Sequence, residues 1–159
     1  INQKKSKTMI FNFTHNYQFT TRLDLHGENV EVVDEQKLLG TIIQNDLKWD
    51  SNTSKLVKSA NARMRLLHKL SEFGAPRNDL VAIYNSYIRR TLEQHAVVWH
   101  SSLTRQNTKA LERVQRVAVR IILEGKHSYK EGLTILNIPT LKERREMLTA
   151  RFANKCFKN

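Results

Sequence analysis

Thr104–Gly125, TRQNTKALERVQRVAVRIILEG, decides how the rest of this 159-residue chain is read. Leu111, Val114, Val117, Ala118, Ile121 and Ile122 recur at spacings of one, three and four, which predicts an amphipathic helix from about Thr104 to Leu123. Gly125 is its stop signal. Away from that stripe, Lys109, Arg113, Arg116 and Arg120 follow one another at spacings of four, three and four, a line of cations up one helical face. Such neighbours repel by roughly a few tenths of a kcal/mol per pair. Inside the helix only Glu112 stands near enough to relieve them.

The same periodicity extends in both directions. Upstream, Leu56, Ala60, Met64, Leu67 and Leu70 mark a helix with N-cap candidates in Ser51, Asn52 and Thr53, a staple candidate in Trp49, and an end at Gly74 and Pro76. A second helix carries Leu80, Ile83, Tyr84, Tyr87, Ile88, Thr91 and Leu92 and ends near Trp99, before His100-Ser101-Ser102. Downstream, Tyr129–Leu136 reads as a short helix. Pro139 then breaks the chain, and Thr140 caps a last helix over Leu141–Phe157.

Before residue 50 the period changes to that of strands. Thr8–Thr14 alternates, Arg22–His26 alternates weakly, Gly27-Glu28-Asn29 is a turn into Val30–Val33, and Lys37–Gln44 is β-branched with Gly40 inside it, a bulge signal. The fold class that follows is α+β by segregation. Short N-terminal antiparallel strands fill residues 1–50 and a basic α-helical bundle fills 51–159.

Charge follows the same boundary. Of 27 Lys and Arg and 15 Asp and Glu, the first fifty residues hold six and seven; the remaining twenty-one bases and eight acids lie in the helical part. Polyanionic partners are the usual reason to tolerate such self-repulsion. The first helix adds Lys55, Lys58, Arg65 and Lys69, and the last adds Lys142, Arg144, Arg145, Arg151, Lys155 and Lys158. Each row alone also reads as a solvated helix face. Three such rows, with arginine prevailing on the third helix, favour sequence-independent contact with phosphates. No recognition-helix, zinc-finger or RNA-recognition signature points to base readout.

Several classes are excluded or disfavoured. No apolar run approaches the ~20 residues of a membrane span, and no signal peptide is expected at INQKKSKTMIFNF, which reads as the continuation of a longer pattern. The single cysteine, Cys156, suits a reducing, intracellular setting, nuclear or cytoplasmic. It falls in an apolar stripe that favours a buried small hydrophobe over a reactive thiol. His95 and His100 are five apart, Asp46 and Asp50 straddle a loop, and no phosphate-loop, dinucleotide or nucleophile-elbow motif occurs. No metal site and no assembled active site is legible.

Three stretches together resemble the reverse transcriptases of non-LTR (LINE-type, jockey-like) retrotransposons. Asn2–Phe11, NQKKSKTMIF, is similar to the segment that follows the family's catalytic Asp-Asp hairpin. KLLGTIIQNDLKW, within Val30–Trp49, is similar to the block where palm gives way to thumb. YNSYIRRTLEQHAVVW, LERVQRVAVRII and YKEGLTILNIPTLKERR, in that order, resemble thumb and post-thumb helices. The resemblance covers essentially the whole chain. It implies a parent RNA-directed DNA polymerase, a nucleotidyltransferase using paired Mg²⁺ ions. The chain itself holds no Asp-Asp pair, so alone it is expected to be inactive, a palm-end and thumb fragment lacking the remaining palm and fingers.

The resemblance also assigns roles. Lys5 matches a lysine near the departing pyrophosphate, with Lys4 and Lys7 as competitors and a solvated charge run as the plain alternative. Leu39-Gly40 resembles the primer grip, with an ordinary bulge as the alternative. Lys55, Lys58, Arg65, Lys69, Lys109, Arg113, Arg116, Arg120, Arg144 and Arg145 would then hold an RNA–DNA or DNA duplex by its backbone. A free-standing basic helical module, or a protein-interaction domain, remains as the competing reading.

Overall fold

A computed structural model describes residues 2, 6–13, 23–25 and 27–158. It is α+β, with short strands first and helices after them, and it divides into two compact units, Ile1–Asn52 and Thr53–Asn159.

In the first unit the strands are brief. β1 (Lys7–Thr8), β2 (Asp24–Leu25), β3 (Glu28–Asn29), β4 (Glu31–Val32), β5 (Glu35–Leu38) and β6 (Thr41–Gln44) form three two-stranded pairs. β2 pairs antiparallel with β3 and β5 with β6, but β1 lies parallel to β4, where the sequence suggested antiparallel strands throughout. The alternation expected over Thr8–Thr14 yields no strand beyond Thr8 among residues 9–13; Thr14, Arg22 and His26 lie outside the described residues.

Gly40 is not a bulge within one strand. Leu39 and Gly40 have φ of 48° and 89° and form the two-residue turn between β5 and β6. Two successive positive φ values are the I′ pattern, whose twist matches that of paired strands. The register, Leu38 opposite Thr41 and Glu35 opposite Gln44, follows from that turn. Gln44 then does what the expected caps do not. Its side-chain oxygen accepts from Ser51 N–H at 2.9 Å, while Asn52 turns its own oxygen to Ile42 N–H at 3.2 Å. Helix α1 (Asp50–Glu72) therefore begins one residue before the first cap candidate, after buried Trp49 at φ 65°.

In the second unit α1 ends as its glycine foretold. Gly74 has φ 75° and Ala75 N–H reaches Leu70 O at 3.0 Å, the six-to-one closure of a Schellman end. The next helix departs from expectation. α2 (Arg77–Ile83) widens into a π-helical turn (Tyr84–Arg89), returns to α geometry in α3 (Arg90–Leu92), and breaks at His95 (φ 54°) before α4 (Ala96–Trp99) and a 3₁₀ turn (His100–Ser102). Spacing explains the widening. Leu80, Tyr84, Ile88 and Leu92 are all buried at intervals of four, and four residues overshoot an α turn by about 40°. A wider i→i+5 turn brings them back into line. The break is held by Trp99, fully buried, whose Nε1–H donates to Gln94 O at 2.9 Å.

The last three helices stand where the sequence put them. α5 (Arg105–Ile122) is capped by the Thr104 hydroxyl, which accepts from Asn107 N–H. α6 (Tyr129–Leu136) and α7 (Leu141–Phe157) each begin with a reciprocal capping box, Ser128 with Glu131 and Thr140 with Glu143. α5 packs against α6 and α7, and its buried residues are Asn107, Leu111, Val114, Gln115, Ala118, Val119 and Ile122, a face rotated from the expected stripe that leaves Val117 exposed. Gly132 lets α6 approach closely, since a Cβ there would overlap Val119 and press on Leu123. Cys156 is exposed, not buried: Phe152 and Phe157 are exposed beside it, and the end of α7 has no packed apolar face for it to join.

Candidate nucleic-acid interface

The inner face of α5 carries a polar network. Gln115, wholly buried, accepts from Tyr84 OH at 2.5 Å and donates to Pro139 O at 2.8 Å and Tyr129 OH at 3.2 Å. Tyr129 OH donates in turn to Glu112, whose same oxygen also receives Leu141 N–H at 3.4 Å. Burial, followed by the Glu112 hydrogen bond, pushes the Tyr129 phenol far above its usual range; burial does the same to Tyr84. This network engages Oε1 of Glu112, and Oε2 is buried without a hydrogen-bond partner. The one acid that the spacing offered to the cationic row is turned to Tyr129 and α7.

The row is therefore uncompensated. Lys109, Arg113, Arg116 and Arg120 are all exposed, and among the described residues none makes an ion pair. Arg116 rests over the Tyr129 ring, 5.1 Å from its centroid, which orients the guanidinium without neutralising it. On α1, Lys58, Arg65 and Lys69 are exposed and Lys55 is half-buried. The C-terminal ends of α1 and α5 stand side by side: Ser71 Oγ donates to Ile121 O at 3.4 Å, and an open groove there has His68 on one wall and Arg120 on the other.

Two cations assigned to this surface are not on it. Arg144 Nε donates to Glu93 Oε1 at 3.0 Å, in an ion pair only 24% and 12% exposed. Arg145 is fully buried, its guanidinium 6.0 Å from the Trp99 ring centroid and its Nε–H toward His100 Nδ1 at 3.4 Å. Burial, then the Arg145 charge, holds His100 below the usual imidazole range, which keeps Nδ1 free to accept. The signal was present in the sequence: Arg145 lies between Leu141 and Leu148 at spacings of four and three, inside the helix's own buried stripe. Its length and charge masked its position.

The remaining candidates divide. Leu39 is 87% exposed at the tip of the β5–β6 turn, with Gly40 beside it. Lys5 lies outside the described residues, as does Lys4; its competitor Lys7 pairs with Glu31 at 2.8 Å. Asp46 accepts from Lys48 N–H at 3.1 Å, so it is a turn residue, its carboxyl held low by that bond. Among the described residues no group of three or more His, Cys, Asp and Glu side chains could hold a metal ion. The described residues therefore offer no carboxylate cluster for the Mg²⁺ pair that the resemblance implies for a parent enzyme. Among the same residues no helix is long and apolar enough to cross a membrane.

No protein-family model matches the chain, and neither the curated proteins nor the solved structures contain a match.

Proposed function

We propose that the helical unit binds nucleic acid by its sugar–phosphate backbone, without sequence preference, as the thumb of a non-LTR-type reverse transcriptase. The observation that carries this reading is the α5 row: four exposed cations in register, with their only helical acid drawn inward. Guanidinium groups favour phosphate because their planar donors match two oxygens at once. The uncompensated positive charge of Thr53–Asn159 adds long-range attraction to a polyanion. Order along the chain supports the polymerase parentage, since strand-borne and helix-borne segments resemble the family in its own sequence. A nuclear or cytoplasmic setting and an RNA–DNA or DNA duplex partner belong to the same proposal. Polymerisation by these residues alone does not, because they include no Asp-Asp pair.

The test is binding of the full chain to an RNA–DNA hybrid duplex between about 50 and 200 mM salt. A protein making several phosphate contacts loses orders of magnitude in affinity over that range, with a log–log slope near −0.9 per contact. Equal affinity for two unrelated duplex sequences, with a steep slope, supports the reading. Affinity insensitive to salt overturns it.

A further inference from the structure

A second polar groove, of about 620 Å³, opens on the other flank of α1, between that helix, α3 with the loop after it, and α7. Its size falls within the ~300–1,000 Å³ of small-molecule sites. The walls bring Ser59 and Arg63 from α1, Arg90 and Thr91 from α3, His95 from the loop and Leu148 from α7. None of these belongs to the α5 row.

Three observations converge there. First, the groove's one acid is already satisfied: Glu93 Oε1 receives Arg144 at 3.0 Å and stands 3.5 Å from Arg89 Nε. Two guanidinium groups on one carboxylate leave the site cationic before its other bases are counted. Second, Arg63 is held ready. Its Nη1 donates to Tyr87 O at 2.7 Å and its guanidinium lies 4.5 Å from the Tyr87 ring centroid, which fixes the fork while other N–H groups remain. Arg90 is exposed and has no carboxylate partner among the described residues. Third, backbone irregularities bracket the site: the π-helical turn Tyr84–Arg89, which presents the Tyr87 carbonyl, and left-handed His95. Widened turns and strained non-glycine residues concentrate at ligand sites.

We propose that this groove binds a phosphomonoester, with Arg63 and Arg90 gripping the dianion and the Ser59 hydroxyl donating to it, while the Thr91 hydroxyl stays bonded to Tyr87 O at 3.1 Å. The charge, the fork geometry and the absence of an unpaired acid select phosphate over a neutral or cationic ligand. The source is either a free nucleotide or the phosphorylated end of a strand. The site does not depend on duplex binding by α5.

The experiment is a titration of the ¹⁵N-labelled full chain, read by backbone amide shifts. The probes are inorganic phosphate, adenosine 5′-monophosphate, and a short single-stranded oligonucleotide with and without a 5′-phosphate. Saturable shifts at Ser59, Arg63 and Arg90–His95 are expected with phosphate and with the nucleotide. A strand end as the source predicts about tenfold tighter binding of the 5′-phosphorylated oligonucleotide than of its hydroxyl twin; a free nucleotide predicts equal affinity for the two. Arg90→Gln, exposed and outside the core, should weaken phosphate binding about tenfold. Lys130→Gln, on distant α6, should leave it unchanged. Shifts scattered over all exposed cations, or equal losses in both variants, would overturn the proposal.

Discussion

α5 and α7 both carry arginines at helical spacing, and they use them in opposite ways. On α5 the row faces away from the core, and Arg113, Arg116 and Arg120 stay in water. On α7 Arg144 is bound to Glu93, and Arg145 lies beneath the surface against Trp99. The difference comes from the stripe each residue shares. The α5 cations fall opposite Leu111, Val114 and Ala118, whereas Arg145 falls in line with Leu141. Spacing tells which residues share a face, and the apolar members of that face tell whether it is wet.

The largest effect that would break the contrast is expected at Arg145. Its Nη1 and Nη2 are buried without a hydrogen-bond partner, so its contribution is packing on Trp99 more than pairing. Arg145→Ala should cost about 3–5 kcal/mol, as large-to-small changes in cores do. Arg145→Met, which keeps the stem and removes the charge, should stay within about 1.5 kcal/mol of the parent in urea unfolding. If methionine were as damaging as alanine, the charge itself would be holding α7.

The next largest effect concerns the inner face of α5. Gln115→Leu strands Tyr84 OH and Pro139 O in the interior and should cost about 2–3 kcal/mol by thermal unfolding. The outer face should behave differently. Arg116→Gln loses only a stack on Tyr129, about 0.5–1 kcal/mol.

The smallest effect is a pH dependence. His100 has its folded pKa lowered below the unfolded 6.5 by burial and by Arg145, with Lys142 acting in the same direction and Glu146 against it. The unfolded chain therefore binds the proton more readily. Stability is whole above about pH 6.5 and declines as pH falls through and below that value. His100→Gln should flatten this limb in unfolding midpoints measured from pH 7.5 to 5.5.

Legibility in the sequence followed local signals. α5, α6 and α7 could be bounded from Thr104, Gly125, Tyr129, Pro139 and Thr140 because caps and stops act within one turn. The rupture of the second helix at His95 was hidden, since no glycine or proline marks it and Trp99 supplies the compensation from four residues on. The π-helical turn was written in the four-residue spacing from Leu80 to Leu92, a pattern that also reads as a plain amphipathic stripe. In the strand region the Leu39-Gly40 turn was visible as a glycine within β-branched residues, but one glycine does not separate a bulge from a hairpin. Of the candidate site, the α5 row was fully legible. The pairing of Arg144 was not, because Glu93 lies 51 residues away along the chain, whereas the burial of Arg145 was written in its spacing from Leu141 and Leu148 and masked by its charge.

One measurement bears most directly on the contrast: the salt dependence of duplex affinity for Arg113→Gln/Arg116→Gln/Arg120→Gln beside that for Arg144→Gln. With three guanidinium groups removed from the phosphates, the triple variant should flatten the log–log slope by roughly 2.7, and Arg144→Gln should leave the slope where it was. An unchanged slope in the triple variant, or an equal flattening from Arg144→Gln, would contradict the assignment of the binding face to α5.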